Sequence, residues 1–399
     1  MQGLPPPDDI EAPVLSSRNK QAVTHYKITP GITAVFYCQF QECTSLTDIV
    51  IPPSVTSIGT SAFEGCSSLS NITLPNSVIE IGRFAFSKCT LLVNISIPNS
   101  VSSIGENAFS GCCSLMNVFI PNSVTVIGEH AFWKCCSLAN ISIPNSVTEF
   151  SLGLFSECTS LTDIVIPNSV TSIGSSVFYN CSSLDNITIP NSVVTIGDCS
   201  FDECQKLLKI TIPNSITSIG DFAFAGCKSL TNITIPNSLT SIGRCAFDRS
   251  NFIQSFIIPD VIDVIGRLVL FGKTSLCGIR LPESVKILNN NTFIESNIDT
   301  FLIPYGIKKM TSGVFYGDRN IKTVAIPNSV NSIGAQAFAE CPNLSNIIIP
   351  DSVTEIGFGA FKGINLLPRP FLEALQKIYG TYSIYGNDLP LRFAIRFHQ

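Results

Sequence analysis

The sequence predicts an α/β solenoid in which short strands from stacked coils pair into a parallel sheet. Three observations predict it. A proline recurs every 23 residues at Pro52, Pro75, Pro98, Pro121, Pro144, Pro167, Pro190, Pro213, Pro236, Pro259 and Pro282, and after one deleted residue the period resumes at Pro304, Pro327 and Pro350. A fixed period of this size marks stacked supersecondary units. Before each proline the apolar residues alternate, as Ile72 and Leu74 do between Asn71 and Thr73, which is the period of a half-buried strand. Phenylalanine and cysteine also hold fixed places in the repeat, as Phe63, Phe86 and Phe109 or Cys66, Cys89 and Cys112 show.

Each element of the coil follows from its residues. The strand ends at proline, which has no N–H to give to a ladder, and Pro-Asn-Ser continues as a turn. Val78 and Ile81 then point inward on a second short extended piece. Gly82 is expected to permit a sharp change of direction. In Arg83–Cys89, the residues Ala85, Phe86 and Cys89 share one helical side, so a single helical or 3-10 turn is expected on the convex side. Leu92 brings the chain back to the next strand. The phenylalanine column forms the spine of the core.

The phrase Ile-Pro-x-Ser-Val-x-x-Ile-Gly-x-x-Ala-Phe-x-x-Cys-x-Ser-Leu-x-x-Ile, repeated about fifteen times between residues 28 and 367, resembles the BspA-like leucine-rich repeat. The resemblance implies a curved, horseshoe-like leucine-rich-repeat solenoid with its parallel sheet on the concave side. It also implies a protein that works by binding other molecules, often as a cell-surface adhesin. Residues 1–27, rich in proline and acid, read as a flexible tail. Residues 368–399 read as a C-terminal cap, with a helix starting at Pro370 and ending at Gly380. Between 250 and 320 the pattern frays: Ser250, Lys273, Ser296 and Asp318 replace cysteine, Asn289 and Thr311 replace glycine, and Leu270 replaces phenylalanine. These coils are expected to stack nonetheless.

Composition narrows the function. Hydrophobic residues make up 45% of the chain, charged ones only 13%, and the net charge is -5 with lysine and arginine scattered. No basic face offers itself to nucleic acid. No apolar run is long enough to span a bilayer. The first residues lack the pattern of a signal peptide, so a cytoplasmic protein is expected, with the cell surface or secretion as the alternative. The 16 cysteines lie mostly in one column, where inward-facing free thiols are expected rather than disulfides. In the adjacent pairs Cys112-Cys113 and Cys135-Cys136, the second member is the exposed one.

Catalysis is not indicated. The three histidines, His25, His130 and His398, share no repeat column, and no phosphate-loop, dinucleotide or His-Glu-x-x-His motif is present. No catalytic residue, metal ligand or cofactor is assigned. Asn-x-Ser/Thr triplets at Asn71, Asn94, Asn140, Asn186 and Asn232 coincide with the outward strand column and read as an asparagine ladder, hydrogen-bonded from coil to coil. The outward strand columns are therefore the candidate surface for a protein partner: Asn71, Asn94, Asn117, Asn140, Asp163, Asn186 and Lys209, with Arg280 further along. Phe119 and Val165 interrupt this polar carpet two coils apart.

Overall fold

A computed structural model describes residues 20–250, 264–265, 281, 283–288, 290, 292–293 and 298–380. Most of the expected tail, the last part of the expected cap, and Leu270, Lys273, Arg280, Asn289 and Ser296 lie outside the described residues. The chain divides into two compact units, residues 1–170 with 177–184, and residues 171–176 with 185–399. Each unit is a stack of coils.

In the first unit the strands Asn71–Thr73, Asn94–Ser96, Asn117–Phe119 and Asn140–Ser142 form a parallel ladder. Asn71 faces Asn94 and Asn117 faces Asn140, so the pairing offset is the sequence period itself. An upstream pair, His25–Lys27 with Asp48–Val50, follows the same offset. In every one of these strands but His25–Lys27 the middle residue is buried and its two neighbours are exposed. A second parallel ladder runs through Ala34–Val35, Ser57–Ile58, Glu80–Ile81, Ser103–Ile104 and Val126–Ile127. This is the expected second extended piece.

The second unit repeats the design with Asn186–Thr188, Lys209–Thr211 and Asn232–Thr234, and again with Thr300–Leu302, Thr323–Ala325 and Asn346–Ile348. Its two-residue ladder passes through Val264–Ile265, Ile287–Leu288 and Lys309–Met310, so pairing continues across the frayed stretch. Ile265 pairs with Leu288 and Leu288 with Met310; the second step is one residue shorter, and this is where the deletion is absorbed.

The core is the phenylalanine spine. Phe40, Phe63, Phe86, Phe109, Phe132, Phe155 and Phe178 in the first unit are fully buried. Successive rings lie 5.3–5.9 Å apart with planes within 18°. Phe201, Phe224 and Phe247 continue the motif in the second unit, as do Phe293, Phe315, Phe338 and Phe361. Rings one coil apart fall naturally within the range of favourable offset stacking.

Three local expectations are corrected or refined. Gly82 does not serve a sharp turn through unusual dihedrals, since it is absent from the left-handed residues. It is glycine because the coils touch there: an added Cβ would lie 2.8 Å from the Gly59 and Ile58 backbone. The Gly82 N–H meanwhile donates to the Ile58 carbonyl at 2.8 Å.

The turn expected between glycine and cysteine is present, but it is not a helical one. It is a pair of overlapping turns with left-handed residues four apart, such as Phe84 and Lys88, Asn107 and Gly111, or His130 and Lys134. A left-handed non-glycine residue costs about 1–2 kcal/mol. Cross-coil hydrogen bonds offset it: Phe84 N–H donates to the Glu106 carbonyl at 2.9 Å and Lys88 N–H to the Ser110 carbonyl at 2.6 Å.

The serine of Pro-Asn-Ser also does more than turn. Ser77, Ser100 and Ser169 donate to the carbonyls of Val55, Val78 and Val147 on the preceding coil at 2.5–2.6 Å.

At the far end the helix α1, Arg369–Tyr379, carries proline in its first turn and ends at Gly380, whose N–H bonds the Gln376 carbonyl at 2.8 Å. Leu372 and Leu375 are buried, as are Ile364 and Leu367 just before the helix.

Candidate binding face

The ladder of three-residue strands sets the face. Because side chains alternate, Asn71, Asn94, Asn117, Asn140 and Asp163 all stand exposed in one column of the first unit. The parallel column holds Val50, Thr73, Ser96, Phe119, Ser142 and Val165, with Phe119 67% and Val165 75% exposed. Ser142 pairs in register with Phe119, and a shallow depression of about 330 Å³ opens over this part of the ladder. Its rim includes Phe119 and Val165, and Asn117, Asn140 and Asp163 line its polar side. A small residue between two apolar ones makes the hollow.

Asn186 and Lys209 belong to the second unit, where they pair in register and are exposed. Arg280 lies outside the described residues.

The asparagine ladder is not formed. Asn71 donates to Ser70 Oγ at 3.3 Å and Asn186 to Asp185 Oδ1 at 3.0 Å, each within its own coil. Among the described residues no hydrogen bond joins asparagine side chains of successive coils on this face. Exposed amides can be satisfied by a local partner or by water, so nothing forces them to stack. Side chains link coils on this side through threonine and serine hydroxyls instead, as Thr47 to the Thr24 carbonyl at 2.9 Å.

The second unit carries an apolar stripe that sequence reasoning missed. Leu302 and Ile348 are each 69% exposed, with Ala325 between them in register. The signal was present, since all three occupy the column of Phe119. It fell just after the deletion, where the repeat count slips by one.

The opposite side of the coils is held by ion pairs rather than merely solvated. Arg83 meets Glu106 at 2.8 Å, Lys88 meets Glu64 at 3.6 Å, and Lys134 meets Glu157 at 3.7 Å, each pair joining two coils. Such exposed pairs contribute about 1 kcal/mol or less each. Trp133 adds an indole N–H bond to Glu157 at 3.1 Å, and the Lys134 ammonium sits 4.4 Å from its ring centroid.

A profile of the BspA type leucine rich repeat region (6 copies) matches residues 33–162, 148–270 and 249–368. The chain belongs to the BspA-type leucine-rich-repeat family. It is similar to a leucine-rich repeat protein from Bacteroides ovatus, at 33% identity over 82% of this chain and 87% of that one, with a TM-score of 0.75. It is also similar to a leucine rich cell surface protein from Faecalibacterium prausnitzii, at 28% identity over 82% and 87% of the two chains, with a TM-score of 0.47. A leucine rich repeat protein of T. pallidum is 35% identical over 44% of this chain and 82% of that one, with a TM-score of 0.40. No curated protein matches the chain.

The BspA-type cysteine column is buried and free, as expected, and it also makes hydrogen bonds. Cys66, Cys89, Cys112, Cys135, Cys158 and Cys181 each donate to the carbonyl of a phenylalanine on an earlier coil at 3.1–3.2 Å. Ser250 does the same to Phe224 at 2.6 Å, so the first departure from cysteine preserves the donor. Burial pushes the thiols of Cys89, Cys112, Cys135 and Cys158 well above the ordinary range, and that of Cys341 up to about 12. Cys113 and Cys136 are only half-buried, as are Cys38 and Cys199. Among the described residues no helix is long and apolar enough to cross a membrane.

Proposed function

We propose that this chain is a non-catalytic protein-binding solenoid whose partner lies along the ladder of three-residue strands in the first unit. One observation carries the reading: on an otherwise small, polar, regular face, Phe119 and Val165 stand out and border a depression flanked by Asn117, Asn140 and Asp163. Aromatic anchors beside satisfiable polar groups are what concentrate binding energy in protein interfaces. The hollow is shallow and open, which suits an extended segment of a protein better than an enclosed small molecule. Such a segment would place an apolar side chain between Phe119 and Val165 and meet the amides of Asn117 and Asn140 with its backbone.

Binding as the mode of action is typical of this repeat family, whose fold is a non-enzymatic one. The reading includes a reducing compartment, because a column of free thiols fits the interior of a cell. A role on the cell surface is the competing outcome. Fractionation of the native source with thiol counting separates the two, since recovery on the exterior would overturn the compartment and leave the face untouched. The face itself is tested by substitution. Phe119→Ala weakens the captured partner by about 2 kcal/mol or more, while Arg83→Ala on the opposite side leaves it unchanged. The reverse pattern would move the site.

A further inference from the structure

Cys113 and Cys136 follow the column cysteines Cys112 and Cys135 on adjacent coils of the first unit. Their own column is otherwise polar in that unit: Thr44, Ser67, Thr90, Thr159 and Ser182. There the hydroxyl reaches the preceding coil, as Thr90 does to the Ser67 carbonyl and Thr159 to the Cys136 carbonyl, both at 3.3 Å. The two thiols break that pattern side by side.

Their geometry brings the sulfurs together. Cys113 Sγ lies 3.6 Å and Cys136 Sγ 3.4 Å from one and the same acceptor, the Lys134 carbonyl oxygen. Lys134 is one of the left-handed residues, and its carbonyl sits between the two coils. The backbones are tied at the same point, where Ser137 N–H donates to the Cys113 carbonyl at 3.1 Å. Hydrogen-bonded neighbouring chains run about 5 Å apart, within the Cα separation a disulfide accepts. Both side chains are half-buried, whereas Cys112 and Cys135 next to them are sealed.

We propose that Cys113 and Cys136 form a dithiol modification site, converted to a cross-coil disulfide by exchange with a low-molecular-weight disulfide. The chemistry balances. One thiolate attacks a sulfur of the small disulfide RSSR, forming a protein–SR mixed disulfide and expelling RS⁻, which takes up the proton that thiol released. The second thiolate attacks the protein sulfur of the mixed disulfide, expels the second RS⁻, and closes the Cys113–Cys136 bond. The net change is two protein thiols and RSSR giving one bridge and two RSH. Burial and the neighbouring Cys113 raise the Cys136 thiol above its usual range. The thiolate is the nucleophile, so exchange accelerates about tenfold per pH unit until the thiol's own pKa is reached.

The test incubates the full chain with oxidised glutathione at mildly alkaline pH and follows it by intact mass and by peptide mapping without reductant. The expected product carries a single bridge joining Cys113 to Cys136, so that their peptides appear linked and lighter by two hydrogen atoms, whatever glutathione the other half-buried thiols take up. Cys113→Ser and Cys136→Ser each retain one glutathione on the remaining partner and form no bridge, with circular dichroism unchanged from the parent. A parent chain that keeps glutathione on either residue without closing the bridge would overturn the proposal. So would unreacted thiols at both positions, or a bridge that uses Cys112 or Cys135.

Discussion

Phe109 and Phe119 stand ten residues apart and sort the two roles a phenylalanine plays in this chain. Phe109 is fully buried in the spine, between Phe86 and Phe132, whereas Phe119 is 67% exposed on the ladder face. Phe109→Ala therefore costs about 3–5 kcal/mol of stability as a core cavity. Phe119→Ala stays within about 0.5 kcal/mol, as a surface change does. Equilibrium denaturation of the two variants checks the contrast, and equal losses would mean that Phe119 is packed. Asp202 offers a pH-dependent test at the same scale. Burial first, and then the Glu203 carboxylate, raise its pKa to about 6. The folded state thus holds a proton that the unfolded chain gives up at about pH 4. The resulting stabilisation is fully present below the unfolded value and is lost as pH rises through 6. Asp202→Asn should raise the melting temperature above pH 6.5 and flatten its slope between about pH 4 and 6. An unchanged slope would show that Asp202 is ordinary.

At the scale of one coil, the contacts between neighbours decide which residue types recur. A Cβ on Gly105 would lie 2.6 Å from backbone atoms of Arg83 and Gly82, so Gly105→Ala must push two coils apart. A loss of about 1–3 kcal/mol is expected, as for overpacking in a core. Gly317→Ala meets no atom within 4 Å and is penalised only through its φ of 71°, by about 1 kcal/mol. Thermal unfolding of both variants separates steric approach from backbone conformation.

The cysteine column gives a parallel test. Cys135→Ala removes the thiol donor from the Phe109 carbonyl, which keeps the Cys112 N–H, and should cost about 0.5–1.5 kcal/mol, while Cys135→Ser keeps a side-chain donor there and should cost less. Ser250 already makes that bond to Phe224.

These elements were unequally legible. The strands, the phenylalanine spine and the inward cysteines follow from the alternation and period alone. The left-handed pairs do not, because their positions hold residues as different as Ser61, Phe84, Asn107 and His130. An N–H donated to the next coil fixes that conformation, so no residue preference is left to read at the first position of the pair, whereas the second is often glycine, as at Gly65 and Gly111. The glycine column was visible but its cause was not, since the approach of two backbones depends on how coils stack. On the candidate face, Phe119 and Val165 were readable as breaks in a polar column. The hollow between them was not, and the failed asparagine ladder shows why: exposed side chains take whatever local partner lies nearest.

For the molecule as a whole, a coil touching only its neighbours multiplies one surface many times and seldom gathers unlike groups at one point. That is why the chain offers repeated columns, and why the informative residues are the exceptions within a column: Phe119 and Val165 in one, Cys113 and Cys136 in another. The thiols follow the same logic. Brief labelling of the native protein should modify Cys113 and Cys136 early and leave the buried column until denaturant is added, and early loss of Cys112 or Cys135 would contradict the stacking described here. The central claim is that the strand ladder of the first unit carries the partner. The most direct measurement is the affinity of a partner captured by the intact chain, compared across the parent, Phe119→Ala and Arg83→Ala. The account predicts a loss of about 2 kcal/mol or more for Phe119→Ala with none for Arg83→Ala, and a loss confined to Arg83→Ala would contradict it.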